Sequence, residues 1–233
     1  MLSFIRRNRT ELLIGLGVIC VVTVLAAILS PAVNRSPLGA KRIACINNLT
    51  QIGTALAQYM QENDETFPRM ANGKTPDGKD FTWRLAAQPY LKDVEAWKCP
   101  INDARHIEST VDGLPLSYET TDVGPIRRGK PIKMANLKSP TQTIVVFEEE
   151  ATDESAQQYG VSWDKDDGSE ASLNVIFAAH LGTSNFLFAD GHAKSMRPTI
   201  TIQTGNWWHV DTRAKVTPRV KQKVELATIK AAR

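Results

Sequence analysis

The chain carries almost no net charge. Lys and Arg total 28 against 25 Asp and Glu, a balance of +3 over 233 residues, which argues against a dedicated nucleic-acid binder. Compact catalytic signatures are missing too: there is no G-x-S-x-G elbow, no H-E-x-x-H, no P-loop and no Gly-rich dinucleotide turn. His180 and Asp190 suit acid–base chemistry, but no nucleophile accompanies them, so the chain is read as a non-enzyme. Cysteine is scarce. Of the three, Cys20 falls inside an apolar run and is out of reach of the other two.

That run is what stands out. Residues 12–30, LLIGLGVICVVTVLAAILS, contain no charge. At about 1.5 Å per residue a helix of this length matches the ~30 Å hydrocarbon core of a bilayer. Arg6, Arg7 and Arg9 precede it, which keeps the N-terminus in the cytoplasm and sends the C-terminal bulk across the inner membrane, to the periplasmic or extracellular side. A cleaved secretory signal is the rival reading, but its apolar stretch is usually about 7–15 residues. The expected organisation is a basic cytoplasmic segment (1–11), a single transmembrane helix (12–30), a Pro- and Gly-containing hinge (31–40), an α+β domain (41–210) and a basic tail (211–233). The domain is large enough for one real core.

Apolar residues at Cys45, Leu49, Ile52, Leu56, Tyr59 and Met60 recur at steps of four and three, which predicts an amphipathic helix from Lys41 to about Asn63. Residues 71–80, ANGKTPDGKD, read as a turn-rich loop. Trp83, Leu85, Tyr90 and Leu91 suggest a short packed segment, and one short strand is expected around Leu116–Tyr118. The later part is β: Thr143–Phe147, Leu173–Ala179, Asn185–Ala189 and His192–Met196 are read as strands of an antiparallel meander. Asp190-Gly191 is read as a two-residue type I′ hairpin turn. The helix at 41–63 is the best cover for the sheet. In the tail, Val216, Val220 and Val224 recur at four-residue steps among Arg213, Lys215, Arg219, Lys221 and Lys223. A solvated tail is the default, with a loosely attached helix or contact with an acidic partner as alternatives.

Two groups of residues are candidate ligand sites. His180, Asp190 and His192 offer two imidazoles and a carboxylate to one metal ion; the alternative is a turn flanked by strand-capping histidines. Asp164, Asp166, Asp167 and Glu170, in WDKDDGSE, offer oxygens to a divalent cation such as calcium, but the spacing fails the EF-hand loop, and a solvated acidic turn is the alternative. Glu148, Glu149 and Glu150 carry the same two readings. No other cofactor is expected. Cys45 and Cys99 both fall outside the cytoplasm, where disulfides persist, so they are either a bridge or two buried thiols.

Residues 45–59, CINNLTQIGTALAQY, with Asp64 and Pro68, then Trp83, Pro89-Tyr90-Leu91, Cys99-Pro100, SPTQTIVVFEE from Ser139, and His180 followed after nine residues by Asp190-Gly191, resemble the prepilin-like family named for its H-x9-DG motif. The resemblance runs from about residue 11 to 196, with its pieces in the family's order. It implies a pilin-like fold, a long N-terminal helix packed on an antiparallel sheet. It also implies a structural or assembly role in a type IV pilus-like or type II secretion-like system. Implied partners are membrane lipid, other pilin-like subunits or secretion machinery, and copies of the chain. His180, Asp190, Gly191 and His192 are the motif positions. Glu11 matches the glutamate that sits fifth in mature pilins and pairs with a neighbour's N-terminus during assembly. Arg6 and Arg7 then stand where the cleavage glycine and the methylated residue would lie, and no Gly precedes Gly15. This departure argues for an uncleaved anchor, and leaves a second reading: a membrane-tethered module that binds a metal, glycan or peptide.

Overall fold

The computed structural model describes residues 18–21, 23–24, 37–76, 78, 80–102, 106–127, 129–150, 176–178, 180 and 182–230. The chain divides into two compact units, Met1–Ala40 and Lys41–Arg233. In the first, residues 18–21 and 23–24 are helical, and Val18, Ile19, Val21 and Val24 are exposed. The Thr23 hydroxyl donates back to the carbonyls of Ile19 and Cys20. Among the described residues no helix is long and apolar enough to cross a membrane. Most of the expected 12–30 span, with Glu11 and residues 31–36, lies outside the described residues.

Helix α1 runs Pro37–Glu62, starting earlier than the apolar stripe required. Pro37 suits that start: its fixed φ is helical, and a first-turn residue needs no amide hydrogen. Cys45, Leu49, Ile52, Leu56 and Met60 are all buried, so the stripe marks the inward face. The helix ends where Asp64 and Glu65 turn left-handed, at φ 53° and 55°, and the Glu65 amide donates to the Met60 carbonyl at 2.8 Å.

The stretch read as a loop contains a small antiparallel ribbon, β1 (Ala71–Lys74) and β2 (Asp80–Thr82). Its strands are too short to show a period, and a Lys74–Asp80 ion pair of 2.9 Å supports it. Thr82 then caps α2 (Trp83–Ala87) by accepting from the Leu85 amide.

The main sheet has four antiparallel strands in the order β3 (Tyr118–Glu119), β4 (Ile144–Glu148), β5 (Ser184–Phe188) and β6 (Ala193–Met196). Leu173–Ala179 was expected as a strand of this meander. Residues 171–175 and 179 lie outside the described residues, and Ile176 makes only an isolated bridge to Glu149. The two sides of β4 are taken by β3 and β5. The Asp190-Gly191 turn is also not type I′. Only Gly191 has positive φ, 91°, and its amide donates to the Phe188 carbonyl at 2.9 Å. That is the three-residue hairpin in which a left-handed glycine forms the bulge.

Alternate β5 side chains enter different cores. Leu187, with Val145 and Val146, packs against Cys45, Leu49, Ile52 and Leu56 of α1. Phe186 and Phe188, with Phe147 and Trp208, form a second cluster with Val220, Val224 and Ala227. These last three lie on α3 (Pro218–Lys230), which corrects the expectation of a solvated tail. The valine spacing builds an apolar stripe, beside which Lys221 stays exposed while Lys223 is buried.

Candidate functional site

The two ends of β5 place the motif residues. His180 begins the turn before β5, and its carbonyl accepts from the Thr183 hydroxyl at 2.7 Å. Its ring is fully buried, with Nε2 2.9 Å from Glu148 Oε1 at the end of β4. Glu148 is held further by Asn185: the side-chain amide donates to Oε1 and the backbone amide to Oε2, each at 2.9 Å. A buried carboxylate needs this many donors, because each unsatisfied lone pair costs desolvation energy. Phe177 meets the imidazole edge-on at 5.5 Å.

The imidazole also lies against the disulfide joining α1 to the domain. Cys45 and Cys99 are bonded, with Cα atoms 4.8 Å apart, and Cys99 Sγ is 3.8 Å from His180 Nε2. Around this point α1 is tied by directional contacts. Asn48 donates to the Lys98 carbonyl at 2.7 Å, Tyr118 Oη to the Cys45 carbonyl at 3.2 Å, and Arg42 to Ser195 Oγ at 3.1 Å. Burial, with the negative charge of Glu148 adding to it, holds the Tyr118 phenol well above its ordinary value, so it stays a donor.

The other end of β5 meets α1 at Gly53, about two turns beyond Cys45. A Cβ on Gly53 would lie 2.8 Å from Leu187 Cδ1 and 3.1 Å from the Gly191 carbonyl oxygen. Gly53 therefore lets the helix approach the hairpin backbone directly. His192 stacks on Phe188 at 4.3 Å, and its Nδ1 lies 2.6 Å from Asp190 Oδ1. The motif thus brackets β5. His180 fixes one end beside Cys45, and Asp190-Gly191 seats the other against Gly53.

This arrangement separates residues expected together. His180 precedes β5 and Asp190 and His192 follow it, so five strand residues, about 16 Å of chain, stand between them. They do not converge on one metal ion. Among the described residues, the group that does converge is Cys45, Cys99, Glu148 and His180, whose donor atoms lie within 4.8 Å of one another. Asp164, Asp166, Asp167 and Glu170 lie outside the described residues.

A second buried polar network adjoins. Arg84 makes a bidentate pair with Asp112, at 2.9 and 3.0 Å, and donates to the Pro115 carbonyl. Thr82 donates to the same carboxylate at 2.6 Å. Glu119 accepts from Trp83 Nε1 and the Thr120 amide, at 2.9 and 2.8 Å. Burial pushes its carboxyl up, and Arg84 pulls the other way. Glu149 is pushed well up by burial and by the charge of Glu119, with Arg84 and Lys223 opposing. Sequence reasoning missed Arg84, Asp112, Glu119 and Lys223, and missed the pairing of Glu148 with His180. One signal was available for the last: in TIVVFEEE the first glutamate continues an inward-facing strand.

A family described only as a protein of unknown function (DUF1559) matches residues 39–104, a stretch that contains all but the first two residues of α1 and both bridged cysteines. Neither the curated proteins nor the solved structures yield a match.

Proposed function

We propose that this chain is a membrane-anchored, pseudopilin-like structural or assembly component of a type IV pilus-like or type II secretion-like system, with no catalytic role. Residues 12–30 form its single span in the inner membrane, and the α+β head lies on the periplasmic or extracellular side. The observation that carries the reading is the disulfide from Cys45 to Cys99. It staples the helix that follows the apolar segment onto an antiparallel sheet, and such bonds persist outside the cytoplasm. The sequence resemblance, the α+β architecture and the family match over 39–104 all agree with it. The partners are lipid, equivalent helices of other pilin-like chains and copies of this chain; nucleic acid is not among them.

A second reading, a static membrane-tethered binding module, is favoured by one observation: Arg6 and Arg7 stand where the cleavage glycine and the methylated residue would lie. The test is affinity isolation of the full-length chain from native membranes, with the mass of its N-terminus read from the same sample. Co-isolation of other pilin-like chains supports the assembly role. A monomeric anchor with intact Met1 and no such partners supports the tethered module. Recovery in the soluble fraction, starting beyond Gly39, overturns both.

A further inference from the structure

We propose that the Cys45–Cys99 bridge and a four-ligand zinc-type site are alternative states of one staple. Four different elements deliver one donor each: α1 brings Cys45, the segment after the Val94–Trp97 turn brings Cys99, β4 brings Glu148, and the turn before β5 brings His180. All four are buried, and their donor atoms lie within 4.8 Å of one another. A tetrahedral ion with bonds of about 2.0–2.3 Å holds its ligands roughly 3.3–3.8 Å apart. His180 Nε2 is already 3.8 Å from Cys99 Sγ and 2.9 Å from Glu148 Oε1. The sulfurs must part, and the other donors, spread over up to 4.8 Å, must shift by about 1 Å or less to close on an ion.

The donor chemistry selects the ion. Two thiolates, one imidazole and one carboxylate suit zinc and disfavour calcium and magnesium, which take oxygen shells. The imidazole is free to serve. The Glu148 carboxylate accepts from His180 Nε2, while Nδ1 is buried with no hydrogen-bond partner and is open to take that proton. With Nε2 on the metal, Nδ1 carries the proton. A protein dithiol is the reductant. Its thiolate attacks one sulfur of the bridge to give a mixed disulfide, and its second thiol closes to release it. The dithiol ends as a disulfide, and Cys45 and Cys99 end as two thiols. Zinc then displaces two protons and binds two thiolates. Oxidation reverses the sequence and releases the ion. In both states α1 stays fastened to the head, so the staple survives a change of redox environment.

The test uses the full-length Cys20→Ser chain, which removes the remaining thiol, with cobalt(II) as the spectroscopic probe and zinc as competitor. After reduction by a phosphine without oxygen, one cobalt equivalent is expected to bind. It should show thiolate-to-cobalt charge transfer and tetrahedral d–d bands, and zinc should displace it. The oxidised chain should show neither. Cys45→Ser should lose the two-thiolate spectrum. His180→Gln and Glu148→Gln should keep charge transfer but weaken binding by at least the ~10–100-fold that disturbing a ligand's support costs. Circular dichroism accompanies each titration. A reduced, folded chain without thiolate–cobalt bands overturns the proposal. So does the same spectrum in Cys45→Ser, or a reduced chain that unfolds and is not refolded by zinc.

Discussion

The two faces of the main sheet are covered by helices that attach in different ways. On the α1 face the contacts are directional: a disulfide, the Asn48, Tyr118 and Arg42 hydrogen bonds, and the close approach of Gly53 to Gly191. On the α3 face the attachment is mainly apolar. Trp208 stands edge-on to Phe147 and Phe186, at 5.4 and 5.6 Å, and Val220, Val224 and Ala227 close over the cluster. Lys223, nearly fully buried, is the exception. Burial of area tolerates sliding, whereas bonds with fixed geometry do not. The face covered by the helix that follows the N-terminal segment in sequence is thus the one whose register is specified.

The sharpest ways to break this contrast begin with the apolar face. Trp208→Ala should cost about 3–5 kcal/mol, as for other large core truncations. Guanidinium unfolding should show the loss, with the Cys45–Cys99 bond intact. Opening that bond on the other face, by Cys45→Ser with Cys99→Ser in the presence of a chelator, should cost about 2–4 kcal/mol. Hydrogen exchange should then rise first in α1 and leave α3 protected; uniform exchange in both helices would erase the distinction.

Gly53→Ala should cost about 1–3 kcal/mol through overpacking against the hairpin. Gly39→Ala, with nothing within 4 Å of the added carbon, should be neutral or stabilise by up to about 1 kcal/mol. Thermal melts of the two variants check this pair. The smallest effect concerns Glu149. Its folded carboxyl keeps a proton at pH values where the unfolded chain has lost it. The native state then binds more protons, so stability falls as pH rises from the ordinary carboxylate range through the raised folded value. Glu149→Gln should remove that fall, raising the melting temperature at pH near 8 and leaving it unchanged near pH 4.

Much of the α1 face was legible in the sequence, because a 26-residue helix gives its stripe several turns in which to repeat. The pairing of β5 with β6 was legible from a short apolar run and a glycine turn, although the turn type was not, since Asp-Gly serves two hairpin geometries. The opposite face was obscured by its own chemistry. Val220 and Val224 sit among lysines and arginines, and a stripe of three buried residues is weak against such a charge background. β3, with two residues, has no period to read. The meeting of His180 with Glu148 and the cysteines joins residues from four parts of the chain, and only tertiary packing states it. Asp190 and His192 looked like its partners because they are close in sequence, yet a strand runs in a straight line and carries its ends apart.

The disulfide spans a sequence separation of 54, which has a mechanical meaning. Tension entering the head from its N-terminal side reaches Cys45 and crosses directly to Cys99, so the intervening segment is covalently bypassed. Roughly 180 Å of potential extension, at about 3.3–3.6 Å per residue, is withheld from the pulled chain. A tethered head would therefore stretch in a shorter step when oxidised than when the thiols are free and metal is absent, a difference that optical tweezers resolve.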